Sequence, residues 1–281
     1  MSWVEWTDAD AAARIRVPTA SDDKYSRGVL GVLTGSRTFP GAAVLGVEAA
    51  VRTGVGMVRF LGAEKAADAV VHRRPEVVTA QGRVQAWLIG SGFDEGARAD
   101  AAALVAEALE SGLPVILDAG ALADVSAARV PGRVVVTPHA GELARLLSSR
   151  GHDATPDAVM SSPESWALRA AEELHVTVLL KGNTTRVVSP EGSRVTVSGS
   201  TPWLATAGSG DVLAGILGAL LATSIDGDSQ IVAQAAASAA LLHDRAARLA
   251  SGGGPIAALD IADAVPAAVR DVLGSTHMMN G

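Results

Sequence analysis

A glycine-rich turn followed by a carboxylate lies at the start of the most apolar stretch of the sequence, within Trp203–Leu221 (WLATAGSGDVLAGILGALL). Gly208, Ser209 and Gly210 carry little side-chain bulk, so backbone N–H groups can approach a ligand closely here. A helix that begins at this turn also points the positive end of its dipole at the same place. Gly208, Ser209 and Gly210 therefore predict an anion hole for a phosphoryl group.

Asp211 is the chemically distinctive residue of this turn, because a carboxylate repels phosphate. Its presence is explained if it takes a proton from a hydroxyl next to the phosphate. The alternative is that Asp211 is an ordinary N-cap of the helix, and the residues alone leave both interpretations open. A helix N-terminus is expected to lower the pKa of Asp211, so this carboxylate would mainly orient the hydroxyl and accept the proton late.

The composition favours helices packed closely on a sheet. The 281 residues are 48% hydrophobic and only 3% aromatic, which gives no support to a base-stacking surface. The net charge of −7 argues against nucleic acid or an acidic membrane as a partner, since both need a basic stripe. The absence of cysteine excludes a disulfide, a thiolate zinc site and a cysteine nucleophile.

Two segments bear on where the protein is located, and both favour the cytoplasm. Met1–Pro18 is charged throughout and lacks the apolar core of a signal peptide. The apolar run Val212–Ile225 is shorter than the roughly 20 residues that span a bilayer. We therefore expect a buried core helix there rather than a membrane span.

Most of the predicted strands end in a cluster of small or polar residues. The predicted strands are Val29–Thr34, Val55–Leu61, Ala86–Ile89, Pro114–Leu117, Arg133–Thr137 and Val176–Leu180. The clusters read GSRTFPG, GSGFD, LDAGAL, TPHAGE and LKGNTT. Any one of them indicates little, because loops between strands and helices need turn residues anyway. Since ligands of parallel α/β sheets bind at the carboxyl ends of the strands, together they predict one ligand-lined sheet edge.

The remaining segments predict helices, one hairpin and one flap. Gly151–Glu164 is rich in polar and turn residues and is the best candidate for a mobile flap. The other predicted elements are a capped helix at Thr7–Ile15, a hairpin formed by Arg186–Val188 and Arg194–Val197, alanine-rich helices at Gln230–Ala250 and Ala257–Val272, and a frayed tail at Ser275–Gly281. Without an internal repeat or a linker, residues 1–281 are interpreted as a single domain.

The motifs GSRTFPGAA, LDAGAL, TPHAGELARL, LKGNTT and LATAGSGDVLAGI occur in this order between Lys24 and Ala250. In these motifs the sequence resembles the ADP- or ATP-dependent NAD(P)H-hydrate dehydratases of the ribokinase-like superfamily. The resemblance implies a three-layer α/β/α ribokinase-like fold with a mostly parallel central sheet. Family members are often fused to an N-terminal epimerase domain, for which this sequence has no room, so the stand-alone form is expected.

The resemblance implies repair of the hydrated, inactive forms of NADH and NADPH. A phosphoryl group moves from ADP or ATP to the hydroxyl at C6 of the hydrated nicotinamide ring, phosphate leaves, and the ring double bond is restored. Asp211 matches the catalytic base of the family. The family also implies ADP or ATP as co-substrate, Mg²⁺, and a homo-oligomer, typically a tetramer. The stand-alone form favours ADP.

The resemblance also implies ligand contacts at specific positions, although each motif alone has a simpler structural explanation. LKGNTT could be only a polar turn and His139 only a structural histidine. The positions that match nucleotide-binding residues are Lys181, Gly182, Asn183, Thr184, Thr185 and Gly210; those that match contacts to the hydrated dinucleotide are Ala42, Gly92, His139 and Asp211.

The sequence leaves two possible roles for each of three residues. Glu142 could hold Mg²⁺ through water or cap the helix GELARLL, and the dipole argument favours the cap. Asp118 could be a substrate or a structural carboxylate. Trp203, in a run Ser200–Trp203 that differs from the commoner Asn-Pro-Gly type, could stack on a ring or fill the loop.

Two rival functions share this site. A small-molecule kinase of the same superfamily, acting on thiazole or hydroxymethylpyrimidine alcohols, would use Asp211 and stop at the phosphorylated product. A non-catalytic nucleotide-binding protein is less favoured, because the turn Gly208–Asp211 is intact.

Overall fold

The computed structural model describes residues 2–128, 130–199, 201–224 and 228–277. The strands within these ranges are β1 (Val4–Glu5), β2 (Val29–Leu33), β3 (Met57–Phe60), β4 (Ala86–Ile89), β5 (Val115–Leu117), β6 (Val134–Val136), β7 (Thr177–Leu180), β8 (Thr185–Val188) and β9 (Arg194–Val197). They form one mixed sheet in the order β1-β9-β8-β7-β6-β5-β4-β2-β3. The pairs β7–β8 and β8–β9 are antiparallel and the others are parallel. The mostly parallel sheet and the predicted hairpin are confirmed.

Helices cover both faces of the sheet. They are α1 (Asp8–Ala12), α2 (Pro40–Thr53), α3 (Glu64–Arg73), α4 (Glu95–Glu110), α5 (Ala140–Ser148), α6 (Pro156–Ser161), α7 (Pro163–Leu174), α8 (Ser209–Thr223), α9 (Ser229–Ser251) and α10 (Ala258–His277). Alternate side chains of β2 enter two different cores: Leu30 and Val32 pack with α2, α8, α9 and α10, whereas Val29 and Leu33 pack with α4, α5 and α7. The three-layer α/β/α fold is therefore confirmed.

The N-terminal segment contributes an edge strand that the sequence did not predict. β1 pairs in parallel with β9 through Val4 and Glu5, and this two-residue strand is too short to show a period. The helix expected at Thr7–Ile15 is shorter than predicted. Thr7 caps it, because its hydroxyl accepts the Asp10 N–H at 3.2 Å and its own N–H donates to the Asp10 carboxylate at 3.0 Å.

The segment Gly151–Glu164, predicted to be a mobile flap, is largely helical. Residues 156–164 form α6 and the start of α7, each with proline in its first turn. The Thr155 hydroxyl caps α6 by accepting the Ala158 N–H at 3.1 Å, and Val159 is fully buried. The polar residues from Thr155 onward therefore include a helix cap and an exposed helix face, and the motion of this segment stays a prediction.

The C-terminal helix also exceeds its predicted length. α10 continues to His277, so the tail predicted from Ser275 is helical where it is described, and its residues 278–281 lie outside the described part of the chain. Among the helices that are described, none combines the length and apolar character that a membrane span requires.

Two glycines bring α2 and α8 into direct backbone contact. A Cβ atom built on Gly215 of α8 would lie 2.1 Å from the carbonyl oxygen of Gly46 in α2 and 2.9 Å from the Ala49 Cβ. Such an approach is possible only without a side chain. The contact fixes the position of α8, and with it the position of the glycine-rich turn at its N-terminus.

We expect Gly215→Ala to lower the free energy of unfolding by about 1–3 kcal/mol, because the added methyl group forces α2 and α8 apart. Urea denaturation measures the change. Gly274→Ala is the matched control: Gly274 lies in α10 with no neighbouring atom within 4 Å of the added Cβ, so this variant should be more stable by about 0.5–1 kcal/mol. Equal effects at both positions would show that the close approach is unimportant.

Candidate active site at the sheet edge

The carboxyl ends of four adjacent strands meet the N-terminus of α8. Ser91, Asp118, Thr137 and Lys181 follow closely on β4, β5, β6 and β7. A Cβ atom built on Gly210 would lie 3.5 Å from the Lys181 ammonium nitrogen. The structure therefore brings the LDAGAL, TPHAGE and LKGNTT motifs and the glycine-rich turn into one site.

Asp118 is a buried anchor whose two carboxylate oxygens are both engaged. The carboxylate accepts hydrogen bonds from Ser91 Oγ at 2.8 Å, Thr137 Oγ1 at 2.7 Å and Lys181 Nζ at 3.0 Å. Only 3% of the residue is exposed. These contacts show that Asp118 positions Lys181.

Lys181 is surrounded by acidic groups. Its Nζ lies 3.0 Å from Asp118 Oδ1 and 3.6 Å from Glu142 Oε2. Burial alone would lower the pKa of Lys181, but the charges of Asp118, Glu142 and Asp211 outweigh burial and raise this pKa. Lys181 is therefore a cation held next to the start of α8.

Within the described residues, the turn before α8 leaves the N–H groups of Gly208 and Gly210 without a backbone acceptor. Gly208 is the N-cap and takes a left-handed conformation with φ +87°, so Asp211 is the third residue of the helix and its interpretation as the N-cap is wrong. The N–H groups of Ser209 and Asp211 donate to Thr206 O at 3.3 Å and Gly208 O at 3.1 Å. The Gly210 N–H has no acceptor within the described ranges, as an anion-binding position requires.

Asp211 is a stronger base than the sequence predicts. Burial raises the pKa of Asp211 from 3.8 to about 6, Asp118 acts in the same direction, and Lys181 opposes both. The expected lowering by the helix N-terminus is therefore wrong, because burial beside a second carboxylate outweighs the helix dipole. A carboxylate with this pKa can accept a proton near neutral pH.

His139 and Glu142 together cap α5. His139 Nδ1 accepts the N–H groups of Gly141 at 3.0 Å and Glu142 at 3.3 Å, while Glu142 Oε2 accepts the His139 N–H at 2.8 Å. The preference for a capping role of Glu142 is confirmed. The His139 side chain is still 56% exposed, so its ring remains accessible to a ligand at the sheet edge.

A first cavity of about 450 Å³ adjoins this turn on the α8 side. Its lining includes Gly182, Asn183 and Thr185 from the predicted nucleotide segment and Ser209 and Gly210 from the turn. The cavity therefore joins the phosphate position at Gly210 to a space large enough for a nucleoside.

His243 of α9 lines the same cavity and was missed by sequence reasoning. It is only 5% exposed, and burial lowers its pKa to about 4, so the ring is neutral at neutral pH. Its Nε2 is buried without a hydrogen-bond partner in the part of the chain that the structure describes. The only signal was a lone histidine in an alanine-rich helix, which is too weak to predict a site.

Two of the predicted acceptor positions, Ala42 and Gly92, lie together, whereas His139 lines the first cavity. A Cβ atom on Gly92, which has φ +71°, would lie 2.5 Å from the Ala42 Cβ, so the two positions are direct neighbours. Phe39, in the loop before Ala42, is 54% exposed. Trp203 donates its indole N–H to Gly253 O at 3.3 Å, which supports a loop-packing role for this residue.

Among the described side chains, no group of three or more His, Asp or Glu residues could hold a metal ion. Glu142 already accepts a backbone N–H and lies close to Lys181. These residues therefore do not form a protein cage for Mg²⁺.

The profile of the NAD(P)H-hydrate dehydratase family matches residues 30–266. The bifunctional NAD(P)H-hydrate repair enzyme Nnr of Mycobacterium leprae is 42% identical over 253 residues, which cover 86% of this chain and 50% of that protein. The ADP-dependent (S)-NAD(P)H-hydrate dehydratase of Neisseria meningitidis is 34% identical over 264 residues, which cover 88% of this chain and 85% of that protein. This chain spans about half the length of its bifunctional relatives.

A solved structure matches nearly the whole chain. The ADP/ATP-dependent NAD(P)H-hydrate dehydratase from Bacillus subtilis, co-crystallised with ATP and Mg²⁺, superposes with a TM-score of 0.85 at 26% identity. The match covers 97% of this chain and 99% of that one. The ribokinase-like fold expected from the motifs is thereby confirmed.

We expect Asp118→Asn to lower the pKa of Asp211, because this change removes the like charge that raises it and leaves Lys181 to act on Asp211. Carboxyl ¹³C NMR titration, with Asp211 assigned by its loss in Asp211→Asn, measures the shift. Asp263→Asn, which removes an α10 carboxylate paired with Arg52, is the control and should leave the Asp211 titration in place. An unchanged Asp211 titration in Asp118→Asn would contradict the assigned cause.

Proposed function

Because this chain belongs to the NAD(P)H-hydrate dehydratase family, we propose that it dehydrates (S)-hydrated NADH and NADPH with ADP as phosphoryl donor. The products are NADH or NADPH, AMP and phosphate. The observation that carries the proposal is the position of Asp211, a carboxylate with its pKa raised to about 6 beside the Gly210 N–H and the Lys181 ammonium. A proton acceptor next to an anion site is what phosphorylation of a hydroxyl requires.

In this proposal the donor occupies the first cavity. The Gly210 N–H and Lys181 stabilise the charge on the transferring phosphoryl group. Gly182, Asn183 and Thr185, which line the cavity, bind the rest of the nucleotide. The neutral His243 ring can form a hydrogen bond to the nucleotide without bringing a charge into a buried site.

Asp211 receives the proton of the C6 hydroxyl as that oxygen bonds to phosphorus and the bond from phosphorus to the AMP leaving group breaks. The phosphorylated carbon then loses inorganic phosphate with the help of the ring nitrogen lone pair, and loss of a proton from C5 restores the ring double bond. Phosphorylation is needed because hydroxide is a poor leaving group. A pKa near the working pH makes Asp211 a better general base than an ordinary aspartate.

Magnesium belongs to the proposal only as a counter-ion of the nucleotide. The B. subtilis relative was co-crystallised with ATP and Mg²⁺, and Mg²⁺ commonly binds through substrate phosphates and water with few protein ligands. Since the described residues form no cage, the phosphates would hold the ion and neutralise part of their charge.

The family match favours the dehydratase over the thiazole or hydroxymethylpyrimidine kinase and over a non-catalytic binding protein. ADP is favoured as donor because the N. meningitidis relative is named ADP-dependent. The cytoplasmic location, the tetramer and the choice between hydrated NADH and hydrated NADPH stay predictions.

The test is an assay with hydrated NADH, ADP and Mg²⁺ that follows the absorbance of reduced nicotinamide and the release of phosphate. We expect regeneration of NADH with one phosphate per turnover, and Asp211→Asn should lower kcat by about 10²–10⁴-fold while ADP still binds in calorimetry. A stable phosphorylated alcohol would instead identify a kinase. Near-normal turnover of Asp211→Asn would show that Asp211 is not the general base. Asp263→Asn is the matched control, and its turnover should be normal.

We also expect kcat/KM to fall as the pH drops through about 6, because the proton acceptor Asp211 becomes protonated there in the free enzyme. Initial rates at substrate concentrations below KM, measured between about pH 4 and pH 8, follow this limb. A profile that stays flat down to about pH 4 would mean that Asp211 keeps the pKa of an ordinary aspartate.

A further inference from the structure

A second cavity of about 610 Å³ opens on the opposite face of the same sheet edge. Its walls come from α6, the start of α7 and β8, whereas the first cavity is lined by α8 and α9. Both cavities include His139, Lys181, Gly182 and Asn183. Ligands in the two cavities would therefore lie on either side of the 181–184 loop, with Lys181 between them.

We propose that this second cavity binds the adenosine half of the hydrated dinucleotide, a proposal that rests on the proposed function. Only the nicotinamide half of the acceptor has to reach Asp211. The ADP donor needs the first cavity, because that cavity contains Ser209 and Gly210 at the phosphate position. The second nucleotide half of the acceptor therefore requires a separate binding space along the sheet edge.

The wall of the second cavity suits a purine ring. Val159 and Leu180 are buried residues of its lining, and Met160 lines it with 62% of its surface exposed. Pro156 and Pro163, the first residues of α6 and α7, add to this apolar surface. Ligand sites for flat rings are mostly apolar with few polar groups, and the polarisable sulfur of methionine packs well against aromatic edges. A bound base would cover the exposed Met160.

The cation of the second cavity is fixed in place. The Arg186 guanidinium donates to Thr184 O at 3.1 Å and lies 3.5 Å from Glu164, and its side chain is 20% exposed. Lys181 also lines this cavity, so the lining contains two cations. Both can bind the phosphates that join the two halves of a dinucleotide.

The rival location is a cavity of about 680 Å³ beside the Ala42 and Gly92 loops. Its cations are Arg37 and Lys65, but its lining also carries the carboxylates of Glu64, Asp94, Glu95 and Asp100. Acidic side chains around a diphosphate cost binding energy through like-charge repulsion. Glu164 and Glu142 lie near the cations of the second cavity but do not line it. The charge of the lining therefore favours the second cavity over this one.

The test varies the cavity wall and the substrate together. Met160→Glu places a negative charge on the proposed adenosine site, and it should raise the KM for hydrated NADH about tenfold while the KM for ADP stays at the wild-type value. Hydrated reduced nicotinamide mononucleotide lacks the adenosine half. Its KM should be above that of hydrated NADH in the wild type and unchanged by Met160→Glu.

Leu249→Glu is the matched control, because Leu249 is an apolar residue 48% exposed on α9 outside both cavities; its KM values should be those of the wild type. Met160→Ser supplies a second variant that adds no charge and should act in the same direction with a smaller effect. A rise in the KM for ADP, an equal effect on both acceptors, or no effect of either Met160 variant would overturn the proposal.

Binding of NADH without ADP, followed by its fluorescence, separates this proposal from the proposed function. Wild-type protein should bind NADH more tightly than reduced nicotinamide mononucleotide, and Met160→Glu should abolish that difference. If NADH binds in this pattern but hydrated NADH is not turned over, the proposed function fails and the cavity assignment stands. Equal affinity of the wild type for the two probes would overturn the cavity assignment.

Discussion

The buried pair of Asp118 and Lys181 is the interaction on which the site depends. Charges out of water are tolerated only when they are paired and hydrogen-bonded, and Asp118 meets that condition with Ser91, Thr137 and Lys181. These four residues follow four neighbouring strands, β4 to β7. The side-chain hydrogen bonds of this pair therefore connect the ends of the four strands, in addition to the backbone hydrogen bonds of the sheet. It also holds the ammonium group at a fixed place in front of the turn that begins α8.

The same pair acts on the pKa of Asp211. Burial raises this pKa to about 6, the like charge of Asp118 acts in the same direction, and Lys181 opposes both. The hydrogen bond from Lys181 to Asp118 therefore fixes the positions of the two charged groups that act on Asp211.

Local patterns in the sequence predict the positions of the site residues better than their roles. The strand-end clusters and the Gly208–Asp211 turn could be predicted because each depends on a short stretch of chain. The pKa direction of Asp211 could not, since it depends on burial in the folded chain and on Asp118, which is distant in sequence. Helix α6 within Gly151–Glu164 was not predicted, because helix caps and flexible loops use the same residues. His243 carries no motif, and only the packing of α9 against the turn reveals its position.

The presence of a cavity on each face follows from the change of strand direction after β7. The parallel connections of this sheet need a crossover that covers one face, usually with a helix. β7 and β8 are antiparallel, so only residues 181–184 join Leu180 to Thr185. No crossover helix lies over this connection, which leaves the sheet edge open on both faces at the one place where Lys181 is held. The two cavities are therefore lined from opposite faces of the sheet and share Lys181 between them.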